Sequence, residues 1–441
     1  MVRSITIDTS QSSPPDERNG VSIDHAQVKP AGAPDRVPWR SFAGIYLVVF
    51  LIGTETFLVS PLLPTIAESI QVSETAAAIT VTAYTLVYAI TAPFLGAVSD
   101  RFGRQPTIVA GAVLFLLGNV LAALAGNLEV LILARVIGAL GAGLAGPSIW
   151  AHIAESVPER LVGRAIGVGL ALFSAGQVLG IPIAGLVADV SGWRVAFWVI
   201  AAASVITVPL VYRETRGSKP RGATLNLGSV FSVWSDTLLR QALIVVLFLQ
   251  AANLGAYTFL GVVLHDRFGL SVGELGLIGV LVGIGGAVGA LLAGRIGDKT
   301  RANGRQDTFW IPIWSVLLGV AAVVAAFGAP LVVAAAAIVI WFVASGAFGS
   351  NVQTLLLNLR PALGATSSSW NSAVLYAGAA GGVALVGLFP HVDVGVAVVG
   401  GGLALIAAVL SLPLLTAVTR QAAASSEAPG RATGEVDHGY V

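Results

Sequence analysis

The chain has no cysteine. That excludes disulfides, a thiolate nucleophile and cysteine metal sites. Charge is also scarce: of 441 residues only 11% are charged, against about 25% in an ordinary soluble domain. The formal net charge is +1, so nucleic acid is not an expected partner. The five histidines (His25, His152, His265, His391 and His438) are scattered without ligand spacing, and no metal is expected. No Gly-x-x-x-x-Gly-Lys-Ser/Thr sequence appears, so ATP is not the expected energy source. With no histidine cluster, no paired acids at ligand spacing and no nucleophile motif, an enzyme is not expected either.

Apolar length is abundant. Hydrophobic residues make up 56% of the chain, and a membrane-spanning helix needs about 20 of them in a row. Such segments fall at 41–63, 76–98, 107–126, 130–152, 164–187 and 194–212, then at 241–263, 274–294, 308–328, 331–352, 367–389 and 393–416. The expectation is an all-α integral membrane protein with twelve transmembrane helices in two pseudo-symmetric six-helix bundles, 41–212 and 241–416. Residues 213–240, with Arg213, Glu214, Arg216, Lys219, Pro220 and Arg221, read as a cytoplasmic linker. Residues 1–40 are polar, lack a signal-like apolar stretch and read as a disordered cytoplasmic tail. Residues 417–441 read as a cytoplasmic C-terminal tail.

Basic residues orient the chain. One set of loops carries Arg101, Arg104, Arg160, Arg164, the linker, Arg295, Lys299, Arg301, Arg305 and Arg360. The opposite loops carry Arg194 and Arg267. The positive-inside rule puts the first set and both termini in the cytoplasm.

One pattern occurs once per half. Gly96-Ala-Val-Ser-Asp100-Arg101-Phe-Gly103-Arg104-Gln105 returns as Gly294-Arg-Ile-Gly-Asp298-Lys299, with Arg301 and Gly304-Arg305-Gln306 after it. Duplication in the membrane is a common build for transporters, with the substrate site between the halves. Small residues four apart, such as Gly138, Ala142 and Gly146, let helix backbones approach closely in lipid.

On these residues the chain resembles the major facilitator superfamily over all twelve spans. Gly96 to Arg104 matches that superfamily's motif A. The narrower resemblance is to bacterial drug:proton antiporters of the chloramphenicol and sugar efflux type. It is carried by Gly53-Thr-Glu55-Thr-Phe57 with Pro61-Leu-Leu-Pro64, by Arg135-Val-Ile-Gly-Ala-Leu-Gly141-Ala-Gly143, and by Gly176-x-x-x-Gly180-Ile-Pro182-x-x-Gly185. Related efflux proteins place the first-span acid directly before the phenylalanine. Here Thr56 stands there and Glu55 precedes it, a rotation of about 100° around the helix.

The resemblance implies that Gly96, Asp100, Arg101, Gly103 and Arg104 latch the two halves in the outward-facing state. It associates Gly176, Gly180, Pro182 and Gly185 with antiport, Pro182 bending the fifth span. Glu55 lies inside an apolar span, where a charge costs about 2.5–3.5 kcal/mol and faces a bundle interior or cavity. It is the expected proton carrier; the alternative is a hydrogen-bonded acid that fixes packing. Arg135 stays protonated and would pair with an anionic substrate or help a carboxylate release its proton; the alternative is a structural arginine satisfied by backbone carbonyls. Candidate substrate contacts are Phe57, Tyr84, Asn253, Tyr257, Asn371 and Tyr376, with Tyr88, Gln177, Gln250, Asn351 and Trp370 behind them. Each aromatic serves equally well as an interface anchor. His152 and Trp150 read as boundary residues.

The expected function is export of a small hydrophobic or amphipathic compound in exchange for protons, with the proton gradient as energy source and no cofactor. The expected partners are the substrate, protons and the lipid of a bacterial cytoplasmic membrane, and the chain is expected to work as a monomer. Alternatives are proton-coupled sugar or nucleoside transport, and a non-transporting membrane sensor.

Overall fold

The computed structural model describes residues 39–217, 227–302, 307–328, 330–360 and 363–427. The tails beyond these limits, linker residues 218–226 and the Gly304-Arg305-Gln306 segment lie outside them. All the described residues belong to one compact unit, and every regular element among them is helical.

The first half comprises α1 (Ala43–Ser69), α2 (Glu74–Phe102), α3 (Arg104–Leu124), α4 (Leu128–Ser156), α5 (Glu159–Ala175), α6 (Ile181–Ser191) and α7 (Trp193–Glu214). A short linker helix, α8 (Leu227–Ser235), follows. The second half comprises α9 (Thr237–Gln250), α10 (Ala256–Phe268), α11 (Val272–Ala302), α12 (Trp310–Phe327), α13 (Leu331–Leu359), α14 (Gly364–Val386) and α15 (Val392–Glu427). Wider π-helical turns, Gly176–Gly180 and Ala251–Gly255, join α5 to α6 and α9 to α10. Each joined pair is one expected span.

The duplication read from the loops returns as packing. In the first half α3 packs on α4 and α7, α2 on α4, and α1 on α5 and α7. In the second half α12 packs on α13 and α15, α11 on α13, and α9 on α14 and α15. The two lists are the same list under one substitution of helices. Between the halves, α2 packs on α14, α6 on α11, and α1 on α10.

Among the described residues, ten helices are long and apolar enough to cross a membrane, and the bent α1 brings the number to eleven. The remaining expected span, the eleventh in chain order, is α14, with 23 residues. Thr366, Ser367, Ser368, Ser369, Asn371 and Ser372 at its start dilute its apolar character, and it is not among them. The boundaries differ from expectation at the C-terminus: α15 continues to Glu427, so the helix takes in the first eleven residues of the expected tail.

Backbone groups left open at helix ends are closed by side chains. The Glu214 carboxylate accepts from Gly44 N (2.7 Å) and Ile45 N (3.0 Å), capping the start of α1 from the end of α7. Arg194 donates to Ala125 O at 2.7 Å, closing the end of α3. Arg267 donates to Ala326 O, and to Phe327 O at 3.0 Å, closing the end of α12. The two arginines that depart from the positive-inside bias thus cap matching helices of the two halves.

Candidate functional site

The site begins at a bend. α1 turns by 51° between Thr56 and Leu58. Pro61 lies four residues beyond Phe57, where its missing N–H and its ring break the bond that a regular helix would make to the Phe57 carbonyl. The bend therefore falls beside Glu55 and Thr56 and sets which way each faces.

Glu55 turns into the first half. Its carboxylate pairs with the Arg135 guanidinium of α4, and the two residues are only 2% and 3% exposed. Arg135 also lies over the Tyr84 ring, 4.2 Å from its centroid, and 6.0 Å from that of Phe197. Gly138 leaves the room for this: a Cβ there would stand 3.4 Å from Glu55 Oε1 and 3.8 Å from Tyr84 Cε2. A pair sealed this way survives because each charge compensates the other, and removing one partner of such a pair costs roughly 3–5 kcal/mol.

Thr56 turns the other way and lines a central cavity of about 400 Å³. The first half contributes Val49 and Ile52 of α1, Tyr88 of α2, Gly146 and Trp150 of α4, and Leu170, Phe173, Ser174 and Gln177 of the fifth span. The second half contributes Gln250, Asn253 and Leu254 of the seventh span, Val282 and Gly286 of α11, Phe342, Ser345 and Gly346 of α13, and Ser372, Leu375 and Tyr376 of α14. Among the described residues, none that lines it is charged. A cleft of this size, mostly apolar with a few placed polar groups, suits a small organic ligand.

A second, smaller space of about 20 Å³ lies against the Glu55–Arg135 pair. Thr56 lines both it and the large cavity. Its other walls include Ser60, Tyr84, Thr85, Arg135, Tyr257 and Thr258. A volume of about 10–15 Å³ is enough for one water. Tyr84 OH and Arg135 Nε are buried polar atoms without a protein partner.

The halves meet directly on one side of the cavity. Ser60 donates to Tyr257 O at 2.7 Å. A Cβ on Gly261 would lie 2.3 Å from Ser60 O, and one on Gly185 would lie 2.9 Å from Gly276 Cα. Only glycine fits such backbone approaches. Along α1, the seventh span and α11, the cavity residues all lie on the same side of these contacts, toward the end that carries the Gly103 turn.

The Gly103 turn has φ 99°, a conformation that favours glycine. Arg104 beside it is not at the surface as expected. It is buried, donating to Glu155 Oε1 at 2.7 Å and to Ser99 Oγ at 3.0 Å, which ties α3 to the far end of α4 within one half. Arg101 is exposed, 5.4 Å from the Phe102 ring centroid. The side chains of Asp100 and Asp298, and the surroundings of Gly96, lie outside the description, so the expected Asp100 latch does too.

The fifth span bends differently from expectation. The irregular turn is Gly176–Gly180, just ahead of Pro182, so the wider turn absorbs the lost N–H. A Cβ on Gly176 would sit 2.2 Å from Phe50 O, and one on Gly180 2.1 Å from Thr54 Oγ1. Thr54 donates to Gly176 O at 3.0 Å. These glycines serve backbone contact with α1, while Gly185 serves contact with the other half.

Of the expected substrate contacts, Asn253 and Tyr376 line the cavity, as do Tyr88, Gln177 and Gln250. Tyr84 and Tyr257 line the small space instead. Asn371 donates to Gln353 Oε1 at 3.1 Å and is not a lining residue. Trp370 packs at an angle to Phe231 and edge-on to Trp234 of the linker helix, and Asn351 accepts from Trp314. The Phe57 side chain is outside the description. Sequence reasoning missed Thr56, Ser174 and Ser345 and set Trp150 at the boundary. Trp341 gave a usable signal: a mid-span indole N–H needs an acceptor, and it donates to Asn253 Oδ1 at 2.8 Å.

Two halves of repeated helix packing around a central, uncharged cavity define a membrane carrier. The sequence profile of the Major Facilitator Superfamily matches residues 45–383, and the chain belongs to that superfamily of transporters. The MFS-type transporter YceJ of Bacillus subtilis is 28% identical over 348 residues, 78% of this chain and 87% of that one. The MFS-type efflux pump of Mycolicibacterium smegmatis is 30% identical over 311 residues, 66% and 70%. Among solved structures, a bacterial homolog of the human lysosomal transporter Spinster superposes with a TM-score of 0.70 at 17% identity, over 90% of this chain and all of that one. A D-xylose–proton symporter gives 0.68 at 20%, over 85% and 97%. At such identities these two share the fold.

Proposed function

We propose that the protein exports a small hydrophobic or amphipathic compound across a bacterial cytoplasmic membrane in exchange for protons. The observation that carries this reading is the sealed Glu55–Arg135 pair, separated from the central cavity by a small polar space that shares Thr56 with it. A proton on Glu55 removes the charge that Arg135 needs. Breaking such a pair costs roughly 3–5 kcal/mol. A ligand that turns a conformational equilibrium from 1:99 to 99:1 must supply about 5.5 kcal/mol, so one proton at this position acts on the right scale to tip alternating access. The similarity to the M. smegmatis efflux pump supports the outward direction. The proton gradient supplies the energy, with no cofactor. The loop bias in Arg and Lys puts both termini in the cytoplasm, so the cavity faces inward here, and the chain works as a monomer.

One observation favours a second reading, proton-coupled sugar or nucleoside transport: Gln250, Asn253, Ser345 and Ser372 give the second-half wall a polar stripe. The test is proton movement in proteoliposomes holding a pH gradient, with antibiotics, sugars and nucleosides added in turn to wild type and Glu55→Gln. Gradient collapse with an amphipathic compound, lost in the variant, is the expected result. Collapse that survives the substitution removes Glu55 from the coupling. A sugar moving together with protons replaces the exporter by a symporter.

A further inference from the structure

The second-half wall of the cavity has a direction built into its hydrogen bonds. An indole N–H donates and cannot accept. Trp341 Nε1 donates to Asn253 Oδ1 at 2.8 Å, so the other end of the Asn253 amide is its NH2. That NH2 donates to Gln250 Oε1 at 3.0 Å and to Ser345 Oγ at 2.8 Å. Both of its protons are then used. Gln250, whose oxygen is taken, presents its Nε2 donors. Ser345, whose oxygen has accepted, keeps its own proton to give. Both residues line the cavity.

Two of the hydroxyls around them, those of Thr56 and Ser372, are spent elsewhere. Thr56 donates to Ile52 O at 2.8 Å and Ser372 to Ser368 O at 3.3 Å, each within its own helix. Gln177, across the cavity, is an amide that can match either partner. Among the described residues no carboxylate or ammonium lines the cavity, and the Glu55–Arg135 pair behind it is jointly neutral. A charged ligand would lose its hydration here without an opposite charge to replace it.

We infer that the cavity takes an uncharged amphiphile, and that Gln250 and Ser345 recognise an oxygen acceptor on it while its apolar face lies against Ile52, Trp150, Leu170 and Phe173. The inference rests on the reading of this cavity as the substrate site. Asn253 and Trp341 are positioning residues: they set the donor sense of the pair. The chemistry favoured is that of an amide, ester, ether or nitro oxygen on an aromatic or aliphatic body.

The test is equilibrium binding to the purified full-length protein by tryptophan fluorescence, without a proton gradient. The probes are chloramphenicol, uncharged and rich in acceptor oxygens, and tetraphenylphosphonium, a permanent cation without oxygen. Wild type is expected to bind chloramphenicol and to discriminate against the cation. Ser345→Ala removes one donor and is expected to weaken chloramphenicol binding about tenfold or less, the scale of one hydrogen bond. Gln250→Glu keeps the shape but replaces donors by a charged acceptor, and is expected to move the preference toward tetraphenylphosphonium. A thermal melt confirms that each variant is folded. Equal or tighter binding of the cation by wild type overturns the inference, as does binding of neither probe or a preference unchanged in folded Gln250→Glu. Selective chloramphenicol binding with no proton exchange in liposomes removes antiport and leaves this inference standing; proton exchange with cations alone does the reverse.

Discussion

The two halves hold their polar groups in opposite ways. In the first half the polarity is a full charge pair, Glu55–Arg135, turned away from the cavity and sealed behind Tyr84. In the second half it is a neutral amide network, Trp341–Asn253–Gln250–Ser345, turned into the cavity. A buried charge pair stores energy on the scale of a conformational change. A hydrogen-bond network in a membrane protein contributes about 0.6 kcal/mol per bond on average, enough to orient a ligand and too little to drive the cycle. The same architecture, duplicated, carries a charge pair in one copy and a neutral network in the other; on the proposed function, coupling falls to the first and recognition to the second.

The most destructive way to break this contrast is Arg135→Leu. It leaves the Glu55 carboxylate unpaired in the bundle, and a loss of roughly 3–5 kcal/mol is expected, seen as a collapse of folded yield or a large drop in melting temperature in detergent. Glu55→Gln with Arg135→Gln should recover most of the stability and none of the proton coupling. If Arg135→Leu melts like wild type, the pair is not a sealed one.

Gly176→Val comes next. Its Cβ would lie 2.2 Å from Phe50 O, and overpacking of this kind typically costs about 1–3 kcal/mol. Gly185→Leu strikes the other interface, where the halves meet at Gly276. Its expected effect is functional: opening of that end. Because the chain has no cysteine, a single one placed at Leu254 reports access cleanly, and its labelling by an impermeant maleimide from the side of Ser69 should rise in Gly185→Leu. Unchanged labelling would mean that this glycine contact does not hold the end shut.

Asn253→Leu should cost about 1 kcal/mol of stability while reducing substrate affinity and leaving proton coupling intact in any substrate that still binds. Loss of coupling together with affinity would erase the division of labour. The smallest effect expected is at the rim of the comparison, where Tyr88 of the first half meets Tyr376 of the second at 4.2 Å between ring centroids. Tyr88→Leu keeps most of the apolar area and removes the ring pairing alone, a loss of about 0.5–1.5 kcal/mol, read as a modest shift in melting temperature with affinity and coupling retained.

Much of this was legible in the chain. Apolar runs announced the spans, because a helix in lipid must be apolar along its length whatever it packs against. Glu55 and Arg135 stood out one by one for the same reason, and the repeated Asp-Arg/Lys loops announced the duplication. That Glu55 and Arg135 pair with each other, 80 residues apart, was not legible, since lipid-exposed and bundle-facing positions read alike in a uniformly apolar helix. Arg104 looked like a surface charge because its partner Glu155 comes from the end of another helix. Trp150 looked like a boundary residue because only the packing of α4 against the fifth span turns it into the cavity.

By itself, then, the order of residues determined what depends on composition along a line: the helical class, the positions of the spans, the bias of the loops and the presence of a costly acid in the membrane. The tertiary structure decided everything that depends on rotation about a helix axis. The bend at Phe57, four residues before Pro61, sends Glu55 inward and Thr56 to the cavity. At about 100° per residue, neighbours in sequence face different surroundings, and only packing against α4 and the second half says which surroundings those are.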